Sequence, residues 1–61
     1  MRFILEVDLD AVAGDPSAEL GRILRYWGGN TKHLDLTTAQ RHAVTDTEYA
    51  EVGELRVEAD G

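Results

Sequence analysis

Residues 15–29 read Asp-Pro-Ser-Ala-Glu-Leu-Gly-Arg-Ile-Leu-Arg-Tyr-Trp-Gly-Gly, a stretch that predicts one amphipathic helix. Asp15 can cap its N-terminus, and Pro16 suits the first helical position because no intrahelical bond needs its missing N–H. We expect Gly28 and Gly29 to end the helix in a left-handed C-cap. The large apolar residues recur at intervals of three and four, so they share one stripe: Leu20, Ile23, Leu24 and Trp27.

The chain before this helix alternates between apolar and charged residues, which is typical of a half-buried strand. We expect the strand to run from Arg2 to Asp10, and 11–14 to connect it to the helix. Ile4 breaks the alternation, so it either packs under a neighbouring strand's side chain or contacts a partner. The side chains predicted to face the helix are Phe3, Leu5, Val7 and Leu9.

The last third of the chain predicts a β-hairpin with arms at 41–45 and 51–58. Its inward-facing residues are expected to include Val44, Leu55 and Val57. Val52 has the wrong parity, but Gly53 allows a β-bulge that turns Val52 to the buried side. Between helix and hairpin, 33–38 permits a short fourth strand or a loop, and we favour the loop.

The order β-α-β-β restricts the topology. A right-handed crossover makes the first strand and the first hairpin arm parallel, with the last strand between them. We therefore expect one small α+β domain over residues 1–61: one helix packed on a three-stranded antiparallel sheet of order 1-3-2. The opposite face of that sheet is expected to be open and acidic.

The helix and hairpin together resemble short acidic proteins found mainly in bacteriophages of actinobacteria and in their hosts' genomes. The matching features are the acidic alternating strand from Phe3 to Asp10 and the following residues of the helix and hairpin: Asp15, Pro16, Glu19, Leu20, Arg22, Ile23, Leu24, Arg25, Asp46, Val52 and Gly53. In that group an Asn-Gly-Asn turn stands where this chain has Glu48, Tyr49 and Ala50. Asn-Gly favours a tight type I′ turn, so its replacement predicts a wider loop with Tyr49 near the tip. The resemblance implies a phage or host setting and no established activity.

Composition excludes several classes of function. The 61 residues carry a formal net charge of −6, which argues against direct nucleic-acid binding because that depends on Lys and Arg at phosphates. The chain has no cysteine, so disulfides and thiolate metal sites are excluded. Glu6, Asp8 and Asp10 interrupt the first apolar run before it could span a membrane, and we expect a cytoplasmic location. A chain this short buries a small core, for which self-association is a common remedy.

Candidate chemistry is sparse. The cluster that most resembles a metal site is His33, Asp35, His42 and Asp46, which offers no second close-spaced pair. No hydroxyl lies in a triad-like arrangement with histidine. We therefore expect no metal, no cofactor, no catalytic residue and no enzymatic activity.

Surface recognition remains, and we consider three hypotheses. The first is a module that binds another protein, from phage or host, and that also self-associates. The second is a homo-oligomeric structural component, and the third is an acidic nucleic-acid mimic that uses Glu6, Asp8, Asp10, Glu54 and Glu58. The candidate partner-binding residues are Tyr49, Ile4, Tyr26, Gly21, Glu6 and Asp8.

Gly21 is a candidate because a glycine inside a helix costs roughly 1 kcal/mol relative to alanine. Ser17, Gly21 and Gly28 share one helix flank, where small residues allow another backbone to approach closely. That backbone belongs either to the protein's own sheet or to a second copy.

Overall fold

The structure is a computed structural model, and it describes residues 1–59. Three strands form one sheet of order β1-β3-β2, in which β3 pairs antiparallel with both neighbours. This arrangement, with one helix over one face, confirms the predicted α+β fold and strand order. The elements are β1 (Arg2–Val7), α1 (Pro16–Asn30), a 3-10 turn (Thr31–His33), β2 (Gln40–Thr45) and β3 (Glu51–Glu58).

The helix begins as predicted. The carboxylate of Asp15 accepts a hydrogen bond from the Ser17 N–H at 3.1 Å, and Pro16 occupies the first helical position. Gly14 precedes the cap with φ 81°, a left-handed conformation that glycine adopts without steric cost.

The end of the helix differs from the prediction. Gly28 and Gly29 lie inside α1 with negative φ, and the helix runs on to Asn30. The Asn30 side chain donates to the Tyr26 carbonyl at 2.6 Å, and the Thr31 hydroxyl donates to the Gly28 carbonyl at 3.2 Å. Side-chain hydrogen bonds at the C-terminal end of the helix thus replace the left-handed glycine cap that was expected there.

The predicted bulge in β3 is confirmed. Val44 is paired with Gly53 whereas Thr45 is paired with Glu51, so Val52 is the extra residue. Val52 is buried, as the bulge requires.

The core lies between α1 and the central strand. Its buried members are Val12, Ile23, Val44, Val52, Leu55 and Val57, with Leu5, Val7, Trp27 and Leu34 packed against them. The prediction that Leu24 and Phe3 lie in the core is wrong, because Leu24 is 52% exposed and Phe3 is 47% exposed. A single helix covers the middle of the sheet, and these two side chains lie beyond it on the β1 side.

The first strand is shorter than predicted. It ends at Val7, since Asp8 starts a turn in which its carbonyl accepts from Ala11 N at 3.1 Å and its carboxylate from Asp10 N at 3.0 Å. Leu9 therefore lies in the turn and is exposed, contrary to the prediction.

The face of the sheet away from the helix is not acidic, which corrects another prediction. The register places three arginines and three glutamates there: Arg2, Arg41, Arg56, Glu6, Glu54 and Glu58. The Arg56 guanidinium lies 3.2 Å from Glu58, 3.3 Å from Glu54 and 3.7 Å from Glu6. The hydrogen bond to Glu54 contributes most to raising the pKa of Arg56. Charge on this face is balanced, and the net negative charge of the chain comes mainly from acidic residues in the connecting loops.

Candidate functional site between the helix and an edge strand

A groove of about 710 Å³ lies between α1 and the edge strand β2. We call it the aromatic groove and define it by six of the residues that line it: Arg22, Tyr26, Trp27, Arg41, His42 and Tyr49. It brings Tyr49 together with Tyr26 and Trp27, which are distant from it in the sequence.

Helical geometry explains one wall of the groove. Ile23 is only 1% exposed and therefore points at the sheet. At about 100° per residue, Arg22 and Tyr26 fall together on one flank of α1, and Leu24 falls on the other. Because the groove lies beside β2, the Leu24 flank faces β1.

The rings along the groove contact one another. Trp27 packs against the core, and its ring centroid lies 5.2 Å from that of Tyr26 in an edge-on arrangement. On the other side, the Trp27 and His42 rings lie 5.6 Å apart. The His42 Nε2 is 2.7 Å from the Gln40 side-chain oxygen, which orients the imidazole. Trp27 therefore links the buried core to the aromatic groove.

Tyr49 stands at the open end of the groove, at the tip of the β2–β3 loop. Its side chain is 86% exposed, and its φ of 64° lies in the left-handed region. Such a backbone costs a residue with a Cβ about 1–2 kcal/mol relative to the ordinary helical region. The wider loop with Tyr49 near its tip is as predicted.

The buried carboxylate of Asp46 holds Tyr49 in this conformation. One oxygen of Asp46 accepts from Glu48 N at 2.9 Å and from Ala50 N at 3.0 Å. The main chain of Asp46 also bonds to Tyr49 N and to the Ala50 carbonyl, each at 3.0 Å. The loop is therefore built around Asp46, and the tyrosine side chain is left free for contact.

The helix is tied to the hairpin by Glu19 and Arg22. Arg22 bonds the Glu19 carboxylate at 2.9 Å and the Thr45 carbonyl at 2.7 Å. The other Glu19 oxygen accepts from both the N–H and the hydroxyl of Thr47. The Thr47 hydroxyl, and secondarily Arg22, lower the pKa of Glu19. These bonds fix the position of the groove wall relative to the hairpin.

A positive charge lies beside the groove, at the outer edge of β2. The Arg41 side chain is on the open face of the sheet and largely exposed, and its nearest ion-pair partner, Glu54, is 3.8 Å away. Arg22 lines the groove itself, but its guanidinium is engaged by Glu19 and the Thr45 carbonyl. A ligand segment that follows the edge of β2 would therefore meet the charge of Arg41.

The two edges of the sheet differ in protection. Asp8 N donates to the Val52 carbonyl at 2.7 Å, which fixes which β3 residues bond to β1. By the alternation of antiparallel ladders, Arg41 and Ala43 on β2 turn their main-chain groups outward, as do Phe3 and Leu5 on β1. The next outward carbonyl on β2, that of Thr45, is occupied by Arg22.

The six predicted partner-binding residues fall in separate places. Tyr26 and Tyr49 meet in the aromatic groove, and His42 and Arg41 join them there although no sequence pattern singled them out as groove residues. The others lie elsewhere: Ile4 and Glu6 on the open face of β1, Asp8 at its end, and Gly21 on the outer side of α1.

Gly21 does not pack on the sheet. A Cβ at this position would meet only the Arg25 side chain, 3.3 Å away. The interpretation that Gly21 lets the sheet approach closely is therefore wrong.

Side chains of the suspected metal cluster are used locally. Asp35 accepts from the Thr37 hydroxyl at 2.6 Å and the Thr38 hydroxyl at 2.9 Å, and the Thr37 bond is the main cause of its lowered pKa. Within residues 1–59, no three His, Asp or Glu side chains lie close enough together to hold a metal ion.

Comparison with protein-family models, curated proteins and solved structures finds no match to this chain. The resemblance to short acidic phage proteins therefore stays a prediction. Across residues 1–59, α1 is neither long nor apolar enough to cross a membrane.

Proposed function

We propose that this chain is a non-catalytic protein-interaction module that binds a segment of another protein in the aromatic groove. The setting we propose is the cytoplasm of an actinobacterial host, with a phage or host protein as partner. The observation that carries the proposal is Tyr49, an 86% exposed aromatic side chain held in a left-handed backbone at the groove that Tyr26 also lines. Aromatic residues supply a large share of the binding energy at interfaces. A binding role for Tyr49 would therefore offset the free-energy cost of its left-handed backbone.

The groove and the edge of β2 beside it favour an extended segment that carries acidic residues. Arg41 and Ala43 present outward main-chain groups along β2, to which a partner strand can add by β-augmentation. Alternate side chains of that strand would then contact Tyr26 and His42 on the helix side. Acidic residues in the strand would meet Arg41, whose charge is only weakly paired within the chain.

A random-sequence peptide library tests this proposal without a known partner. We expect selection on the immobilised protein to enrich peptides that combine acidic with apolar residues. Their affinity should fall at least about tenfold in Tyr26→Ala and in Tyr49→Ala, as expected for interface anchors. Leu36→Ala is the matched control, because Leu36 is an exposed apolar residue outside the groove.

Two outcomes would count against the proposal. One is enrichment no greater than on a blank support. The other is a set of binding peptides that are weakened by Leu36→Ala as much as by Tyr26→Ala and Tyr49→Ala.

The nucleic-acid-mimic hypothesis gains no support from the geometry. Glu6, Glu54 and Glu58 surround Arg56 and do not form a continuous acidic row.

A further inference from the structure

The outer edge of β1 carries main-chain groups that face away from the sheet. Phe3 and Leu5 turn their main-chain N–H and C=O groups away from β3, as the Asp8-to-Val52 bond requires. Among residues 1–59, no group outside the β1–β3 ladder bonds the main chain of either residue. Natural sheets usually guard such an edge with proline, lysine, a bulge or a covering segment. On β2, Arg22 occupies the outward carbonyl of Thr45, and the outward groups of Arg41 and Ala43 form the edge beside the aromatic groove.

The sequence of β1 is complementary to itself when reversed. Residues 2–6 read Arg-Phe-Ile-Leu-Glu. If two copies run antiparallel with Ile4 opposite Ile4, then Arg2 lies opposite Glu6 of the second copy and Phe3 lies opposite Leu5 of the second copy. Opposite charges and apolar pairs directly across a strand pair both stabilise it.

Neighbouring registers lack this match. A shift of two residues in one direction puts Ile4 opposite Glu6, and in the other direction it puts Ile4 opposite Arg2. A shift of one residue would put open-face side chains on the helix side. The pattern of charge and hydrophobicity therefore selects one register.

We propose that two copies of this chain associate through β1, edge to edge, with a two-fold axis at Ile4. The outward groups of Phe3 and Leu5 then form two hydrogen-bonded residue pairs, which together contribute about four main-chain bonds. Such an isologous contact closes on itself, so it yields a dimer with one six-stranded sheet and no fibre. This inference concerns the edge opposite the aromatic groove and does not depend on the proposed function.

The dimer would cover apolar side chains that lie beside the outer edge of β1. Phe3 and Leu24 are about half exposed although both adjoin the helix side of β1. In the paired sheet, Phe3 would lie against Leu5 of the second copy. On the open face, the two Ile4 side chains would meet. The contact therefore accounts for Ile4, the residue that breaks the alternation of the strand.

Chemical synthesis allows a test that leaves every side chain intact. N-methylation of the Leu5 amide removes an outward N–H and adds a methyl group at the edge, without touching the β1–β3 ladder. N-methylation of the Ala43 amide does the same on the other edge and is the matched control. Circular dichroism checks that both chains remain folded.

Sedimentation equilibrium then measures association. The unmodified 6.7 kDa chain and the Ala43-methylated chain should reach twice this mass as concentration rises. The Leu5-methylated chain should associate at least about tenfold more weakly, because two symmetric hydrogen bonds are lost. A monomer at every concentration up to about 1 mM, the weakest affinity expected of a specific contact, would overturn the proposal. Equal loss of association in both methylated chains would overturn it as well.

Charge reversal tests the register itself. Arg2→Glu alone and Glu6→Arg alone each place like charges across the dimer, so each homodimer should weaken. A mixture of the two variants restores both opposite-charge pairs, and we expect heterodimers to exceed either homodimer in native mass spectrometry. A statistical mixture of the three dimers would contradict the proposed register.

Discussion

Gly53→Ala should disrupt the junction of β1 and β3, because the structure leaves no room for a side chain there. A Cβ on Gly53 would lie 2.0 Å from the Glu6 carbonyl oxygen and 2.9 Å from the Val7 Cα. Both contacts are with backbone, so the conflict is relieved only when the strands separate. The backbone of Gly53 is not left-handed, and the requirement for glycine is therefore one of space.

The expected loss in the free energy of unfolding has two sources, steric strain and broken hydrogen bonds. Overpacking costs about 1–3 kcal/mol, and each ladder hydrogen bond lost adds about 0.5–1.5 kcal/mol. A domain of this length has a total free energy of unfolding of about 3–9 kcal/mol. We therefore expect Gly53→Ala to lower stability by about 3 kcal/mol, which at the lower end of this range leaves about half of the protein unfolded at room temperature.

Urea denaturation followed by circular dichroism measures this change. Gly28→Ala is the matched control, since a Cβ on Gly28 meets nothing within 4 Å and the residue is helical. That variant should gain about 0.5–1 kcal/mol from helix propensity. A Gly53→Ala protein within about 0.5 kcal/mol of the unchanged chain, the range of ordinary surface substitutions, would refute the close approach of the strands.

Three further predictions concern the loop and its link to the helix. Asp46→Ala should cost about 2–3 kcal/mol in urea denaturation because two loop N–H groups lose a charged acceptor, and a loss under about 0.5 kcal/mol would contradict that role. Tyr49→Gly should raise stability by about 0.5–1 kcal/mol by relieving the left-handed backbone, whereas Tyr49→Ala should not; a gain in both would refute the cause. The lowered pKa of Glu19 means that its stabilisation is present above its ordinary pKa of 4.5 and is lost as pH falls through the lower folded-state pKa. Thermal melting between about pH 7 and pH 3 should therefore show a steeper acid loss for the unchanged chain than for Glu19→Gln, and parallel curves would contradict this.

Local patterns predicted the fold well because they depend on neighbouring residues. The Asp15-Pro16 helix start, the alternation in β1 and the parity break at Val52 each have a short-range physical cause. The β-α-β-β order and the handedness of the crossover then determined the order β1-β3-β2.

Side chains whose environment depends on tertiary packing could not be predicted in this way. Ile23 and Leu24 belong to the same helical stripe, but a single helix over three strands shelters one and leaves the other half exposed. Val12 becomes buried through the path of a connecting loop, which carries no periodic signal.

The candidate site was predicted only in part. Tyr26 and Tyr49 were identified because exposed aromatic residues suggest interfaces. Arg22 and His42 were missed as groove residues, because the groove forms from the helix flank and an edge strand that are distant in the sequence. The predicted strand order was a signal that could have placed His42 on the helix side of β2.

The most direct test of the central claim is nuclear magnetic resonance of the ¹⁵N-labelled protein during titration with a library-selected peptide. Trp27 is the only tryptophan, so its indole N–H gives a single, unambiguous signal inside the aromatic groove. We predict that this signal and the amide of Tyr49 shift together as the peptide binds. Shifts confined to β1 or to the outer side of α1 around Gly21, with Trp27 and Tyr49 unmoved, would contradict the account.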